Sequence, residues 1–153
     1  MNAATACALA VRMGADPARV ARSLGAFRGV DRRLQLLGDR PVRGGSVRVY
    51  DDYGHHPTEV DATLRALRDF ERPQDKDGRL VCVFQPHQHS RTRFLLEEFA
   101  QAFSQADIVI VPHIYFVRDT EIEKTKVSAA ALGDRLRKRG VRAMPLYPFE
   151  AIG

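Results

Sequence analysis

A chain of 153 residues, 44% of them hydrophobic, has the length of one ordinary domain and enough apolar side chains for a real core. Its net charge of +5 comes almost wholly from arginine, with lysine only at Lys76, Lys124, Lys126 and Lys138, and the arginines are spread over the whole sequence. That spread, with no aromatic-interleaved basic motif, argues against nucleic acid as a partner; the lack of any apolar run near the roughly 18 residues of a membrane helix, and of a signal peptide, argues against a membrane and for a cytoplasmic chain.

Residues 3–13 form an alanine-rich stretch that predicts a helix, with Gly14 as its C-cap, and Asp16-Pro17 supplies the N-cap and first-turn chemistry for a second helix to about residue 24. Two amphipathic helices alone bury little, so this pair reads as the tail of a domain whose sheet lies elsewhere. Their apolar residues Leu9, Val11, Val20 and Leu24 then need cover: the pair is expected to fold back on the sheet domain, to be the most mobile part of the molecule or, the preferred outcome, to dock on a second copy of the chain as a homodimer. Residues 25–45 turn irregular and read as a linker followed by a hairpin-like approach to a strand. Arg32-Arg33, within that stretch, reads on composition as a solvated charged turn.

Val47-Arg48-Val49-Tyr50 predicts a buried strand that stops abruptly at Asp51-Asp52-Tyr53-Gly54-His55-His56, and Pro57 favours the first turn of a helix over residues 59–70 with Val60, Leu64 and Leu67 at helical spacing. The grammar then repeats: a charged loop at 72–78, a buried strand at 80–84, a polar loop at 85–92, and a helix over 93–105 with Phe94, Leu95, Phe99 and Phe103 on its apolar face. A third strand at 107–111, a long polar loop at 113–126 with Tyr115, Arg118, Asp119 and Glu121, a helix at 127–139 closed by Gly140, and a fourth strand at 141–146 follow. Alternating strands and helices predict an α/β fold with a doubly wound, mainly parallel sheet behind a small helical segment, with histidine and arginine from successive loops gathered at one sheet edge. Neither a G-x-G-x-x-G nor a G-x-x-x-x-G-K-[ST] stretch occurs, so no phosphate-cradling loop is present in this sequence. Cys7 and Cys82 lie in apolar surroundings and read as packed thiols, with no metal-binding spacing.

On the residues alone, several chemistries stay open. His55-His56 could simply cap a helix. Asp51, Asp52, His55 and His56 could hold zinc or manganese, which would make a metal-dependent phosphoesterase. A non-catalytic nucleotide-binding module is a third reading.

Three motifs in order, GVDRRLQ at 29–35, DDYGHHPTE at 51–59 and FQPHQHSRT at 84–92, resemble the Mur ligase family, and within it the branch that joins L-alanine to UDP-N-acetylmuramate. The third motif separates that branch from muropeptide-recycling ligases, which share the first two. The resemblance implies a Rossmann-like carboxy-terminal domain at 46–153, incomplete at its end, a linker at 29–45, and a helical remnant of a central ATPase domain at 1–28. It also implies ATP-dependent amide formation for peptidoglycan precursors, and hence a part in cell wall biogenesis, cell shape and cell division, with ATP and Mg bound mainly by parts of the enzyme outside this sequence; the chain alone is expected to be inactive.

Residue by residue, Asn2 matches the asparagine that reaches adenine, Arg33 the linker arginine on the ATP phosphates, and Asp52 the aspartate on the ribose hydroxyls. Tyr53 and His55 match residues facing the reacting centre and the amino acid, with His55 and Arg33 as the catalytic pair. His87 and Arg91 match those that hold the alanine carboxylate. No metal ligand is implied. Met1 stands where the family has His, and Gln88 and His89 where it has Arg and Tyr, so carboxylate binding rests on Arg91; residues 115–119 also depart from the family pattern.

Overall fold

The structure, a computed structural model, describes residues 2–145, Asn2 by its backbone alone. It divides into two compact units that meet in sequence between Asp51 and Asp52. In the first, α1 (Asn2–Arg12) pairs with α2 (Pro17–Ala26), and Asp16 caps α2 by accepting from the backbone N–H groups of Ala18 and Arg19 at 3.2 and 3.3 Å. Val11, Val20 and Leu24 of the expected apolar face line an open groove between the two helices, together with Cys7 and Ala8.

The stretch expected as a linker carries a complete strand. β1 (Gln35–Val42) runs antiparallel to β2 (Gly45–Asp51), with Val42 opposite Gly45 across the Arg43-Gly44 turn and a bulge between Leu36 and Gly38. Gly44 at φ 90° and Gly38 at φ 129° take backbone conformations that other residues adopt only under strain. The strand at 47–50 was expected to be buried in the parallel sheet, and this is corrected: Val47 and Val49 are exposed, and β2 takes its backbone partner from β1. A tight turn supplies an antiparallel neighbour at once, whereas a parallel neighbour needs a crossover. Arg32 Nε lies 3.3 Å from Asp51 Oδ2, fastening the stretch before β1 to the end of β2.

The second unit holds the core. α3 (Pro57–Glu71) buries Pro57, Val60, Leu64 and Leu67, and a short 3₁₀ turn, Pro73–Lys76, leads to β3 (Val81–Val83). The helix expected over 93–105 begins earlier and breaks in two: α4 (His89–Phe94) and α5 (Leu96–Ala102) meet at Leu95, whose backbone leaves the helical region at φ −105°, ψ 22°. Phe94, expected on the apolar face, is 70% exposed beneath the Arg93 guanidinium. β4 (Ile108–Val111), α6 (Glu121–Lys124), α7 (Ala129–Lys138) and β5 (Arg142–Pro145) complete the unit; α6, inside the expected loop, is capped by Thr120, and α7 by Ser128. The last expected strand is thus described to Pro145, with Leu146 outside the described residues.

β3, β4 and β5 lie in that order and run parallel, Val81 beside Ile108 and Ile108 beside Arg142, which gives the mixed α/β fold expected for a Rossmann-like unit. Val109 and Val111 of the central strand meet Phe84, Phe99, Phe103, Leu132 and Leu136 in one cluster. Both cysteines are free, and burial pushes the Cys82 thiol up to about 12.

Leu132 is fully buried, whereas Leu9 is 59% exposed. Leu132→Ala should cost about 2–5 kcal/mol through lost contacts and the cavity left behind, and Leu9→Ala within about 0.5 kcal/mol. Urea unfolding of both variants, followed by circular dichroism, checks the contrast.

Candidate functional site

The loop after β2 is ordered by its own polar groups. Asp52 Oδ1 accepts the Gly54 N–H at 2.7 Å, and a Cβ on residue 54 would lie 2.7 Å from the same oxygen, so only glycine leaves the carboxylate where it is. Glu59 reaches back from the first turn of α3 and accepts from the N–H groups of His55 and His56 at 3.0 and 3.2 Å, while His56 Nδ1 accepts the Thr58 N–H at 3.3 Å. That is a capping box with histidine as the N-cap residue. The two neighbouring imidazoles are therefore held in opposite tautomers. His56 needs Nδ1 as an acceptor. His55 Nδ1 lies 3.1 Å from the Tyr53 carbonyl, which can only accept, so the neutral tautomer that fits carries its proton on Nδ1 and leaves Nε2 as the acceptor. Tyr53 stands edge-on to the His55 ring at 5.3 Å between centres.

The loop after β3 is held from outside. Tyr115, in the loop after β4, donates its N–H to the Pro86 carbonyl at 2.8 Å and accepts the Gln88 N–H at 3.0 Å, and its ring lies 5.1 Å from that of His87. Asp119 closes the same clamp: its carboxylate, 3% exposed, accepts from the His89 and Ser90 N–H groups and from the Ser90 hydroxyl at 2.5 Å. Between the two ties Gln88 is held at φ 66°, ψ 126°, a conformation that costs a non-glycine residue roughly 1–3 kcal/mol. Thr92 fixes it from the other side, its hydroxyl donating to the Gln88 carbonyl at 2.7 Å.

Arg91 follows in α4, half-buried, and its guanidinium has no ion-pair or hydrogen-bond partner among the described residues. His89 is buried; its Nδ1 has no hydrogen-bond partner among the described residues and lies 3.8 Å from Asp119 Oδ2. Beyond β3 and β4 an open groove of about 480 Å³ is lined by His89, His113, Tyr115, Phe116, Lys124 and Ser128, but not by His87 or Arg91.

The family model described as "Mur ligase, glutamate ligase domain" matches residues 32–149. The chain belongs to the Mur ligase family. It is 48% identical over 152 residues to a UDP-N-acetylmuramate–L-alanine ligase of Mycobacterium sp. (strain JLS), covering 99% of this chain and 29% of that protein. It is 48% identical over 115 residues to the protein of that name from Rubrobacter xylanophilus, covering 75% and 24% respectively. The crystal structure of the UDP-N-acetylmuramate-alanine ligase of Thermotoga maritima matches with a TM-score of 0.68 at 31% identity, over 95% of this chain and 28% of that one. A murein peptide ligase from Psychrobacter arcticus shares the fold, with a TM-score of 0.61 at 23% identity over 99% and 29%. The chain therefore spans less than a third of the length of these proteins.

The structure brings the sequence-predicted residues into separate groups. Asp52, Tyr53 and His55 share one loop; His87 and Arg91 share another. Arg33 is an exposed residue of the first unit, its N–H donating to the Val30 carbonyl at 3.2 Å, and the Asn2 side chain lies outside the described residues. The four-residue metal set drawn from 51–56 does not gather: among the described residues no three of His, Cys, Asp and Glu form a metal site, Asp51 pairs with Arg32 and His56 is engaged as a cap. The sequence alone gives Asp119 no role, although its carboxylate holds the start of the helix that carries Arg91. The one signal that could have found it is an acid in the loop after β4, since such loops of a parallel sheet lie side by side.

Burial opposes the charge on Asp119, but the Ser90 hydroxyl, the N–H groups of His89 and Ser90 and the His89 ring outweigh it and hold the carboxyl below the usual carboxylate range. A lowered folded value means that this group's stabilisation is present above the unfolded value near about 3.9 and is lost as pH falls through the folded one. Asp119→Asn should therefore flatten the acid limb of stability below about pH 4. Urea midpoints from pH 6 down to 2.5 check this, and an unchanged slope would contradict it.

Proposed function

We propose that this chain is the carboxy-terminal, amino-acid- and nucleotide-contacting domain of an ATP-dependent ligase that joins L-alanine to UDP-N-acetylmuramate in the cytoplasm, with residues 1–28 as the helical end of a central ATPase domain and 29–45 as the linker. The observation that carries the reading is the near-complete match of this chain to alanine-adding relatives, with the FQPHQHSRT loop intact at both ends. The relatives are named as ligases, and nothing at 51–56 favours a phosphoesterase.

In the proposed reaction the muramate carboxylate takes the γ-phosphate of ATP and ADP leaves; the alanine nitrogen then attacks the acyl carbon, the C–N bond forms, the acyl C–O bond breaks to release inorganic phosphate, and a proton leaves the nitrogen. His55 suits the last step. Its Nδ1–H is committed to the Tyr53 carbonyl, with Glu59 Oε2 3.6 Å away to steady a positive ring, so Nε2 is the atom that takes the proton. Arg91 supplies an uncommitted guanidinium for the alanine carboxylate, beside His87. Arg33 is assigned to phosphate oxygens, Asp52 to the ribose hydroxyls and Asn2 to adenine. Mg would neutralise phosphate charge in such a reaction, but the described residues offer it no gathered ligand set, so no role here is assigned to it.

In the full-length enzyme, Arg91→Ala should raise KM for alanine roughly tenfold to a hundredfold, the worth of about 1.5–3 kcal/mol in a charge-assisted contact, with KM for ATP little changed. Arg33→Ala and Asp52→Ala should show the reverse pattern. Steady-state kinetics with each substrate varied in turn decides; an alanine KM untouched by Arg91→Ala would remove its role.

A further inference from the structure

We propose that Asp119 is the positioning residue of the alanine-carboxylate loop: from the loop after β4 it fixes the first turn of α4, and through that turn it sets the placement of His87 and Arg91. This rests on the assignment of Arg91 to the carboxylate made above, and deepens it.

The argument starts from where Asp119 finds its partners. All of them among the described residues, the N–H groups of His89 and Ser90, the Ser90 hydroxyl and the His89 ring, belong to the other loop. An aspartate serving its own turn would accept from N–H groups two or three residues along its own chain, as Asp16 and Asp52 do here. Asp119 instead turns away from its neighbours, and the preceding residue, Arg118, is held at φ 52°. Gln88, on the receiving side, is also in the left-handed half of backbone space, so both ends of the clamp hold conformations that local preference disfavours.

What lies between and beside the ties is the carboxylate pair. His87 immediately precedes Gln88, flanked by the two hydrogen bonds of Tyr115, and Arg91 immediately follows the doubly held Ser90. In a helix only six residues long, the orientation of Arg91 about the axis follows from how the first turn is fixed. Asp119 thus commits its charge to the loop while the arginine beside that loop stays uncommitted, the division expected of a support and the group it supports.

The test compares Asp119→Asn, Asp119→Glu, Ser90→Ala and Arg91→Ala in the full-length enzyme, with the melting temperature of each recorded. Asp119→Asn should raise KM for alanine roughly tenfold to a hundredfold, as expected for a misplaced binding group, with KM for ATP and for UDP-N-acetylmuramate within a few-fold of the parent. Asp119→Glu should recover part of that loss, because it keeps the charge. A second, spectroscopic readout uses ¹⁵N-labelled enzyme: the His89 and Ser90 amide protons should move markedly upfield in Asp119→Asn as their charge-assisted bonds weaken. If Asp119→Asn fails to fold, Ser90→Ala carries the test with a smaller rise in the same direction. A normal alanine KM in Asp119→Asn, or in Ser90→Ala where that variant stands in, overturns the proposal while a raised KM in Arg91→Ala leaves the assignment of Arg91 intact. No effect of Arg91→Ala overturns the assignment and the proposal together.

Discussion

Parallel pairing of β3 with β4 and of β4 with β5 sends the chain back across the sheet between strands, because a tight turn cannot join parallel neighbours. Two consequences follow. The return segments become the helices that cover the sheet, and Phe99, Phe103, Leu132 and Leu136 from those helices close over Val109 and Val111. The segments leaving β3 and β4 also emerge side by side at one edge, which lets Tyr115 and Asp119 of one loop hold residues 86–90 of the other. This loop is thus ordered by its neighbour in space together with the Thr92 tie from its own segment.

The loop after β2 draws more on bonds between near neighbours in sequence. Asp52, Gly54, His55, His56 and Glu59 satisfy one another within eight residues, and the result is a helix start that also fixes the tautomer of His55.

The same contrast explains what could be read from the sequence. Local chemistry was legible: Asp16 and Pro57 announced helix starts, the parallel α/β pattern stood out in the run of strands and helices, and the three motifs pointed to the Mur ligase family before any geometry was known. Non-local terms were not. At the early start of α4 the His89 N–H is bound by Asp119, thirty residues away. The displacement of β2 from the parallel sheet depends on a partner strand hidden in a Gly- and Pro-containing stretch that reads as irregular. α6 is short enough that its Thr120 cap and Glu123, tied to Arg93 and Lys126, pass for loop chemistry. Phe94 fits the helical period of its neighbours, and only the break at Leu95 turns it to solvent.

The central claim is that this domain serves an enzyme that adds free alanine, although a murein peptide ligase shares its fold. The most direct measurement gives the full-length enzyme UDP-N-acetylmuramate and ATP with L-alanine and a murein peptide in competition, and identifies the products by mass spectrometry. The account predicts ATP-dependent formation of the UDP-sugar carrying a single alanyl residue as the dominant product. Preferential attachment of the peptide, or no ATP-dependent product from alanine, would contradict it.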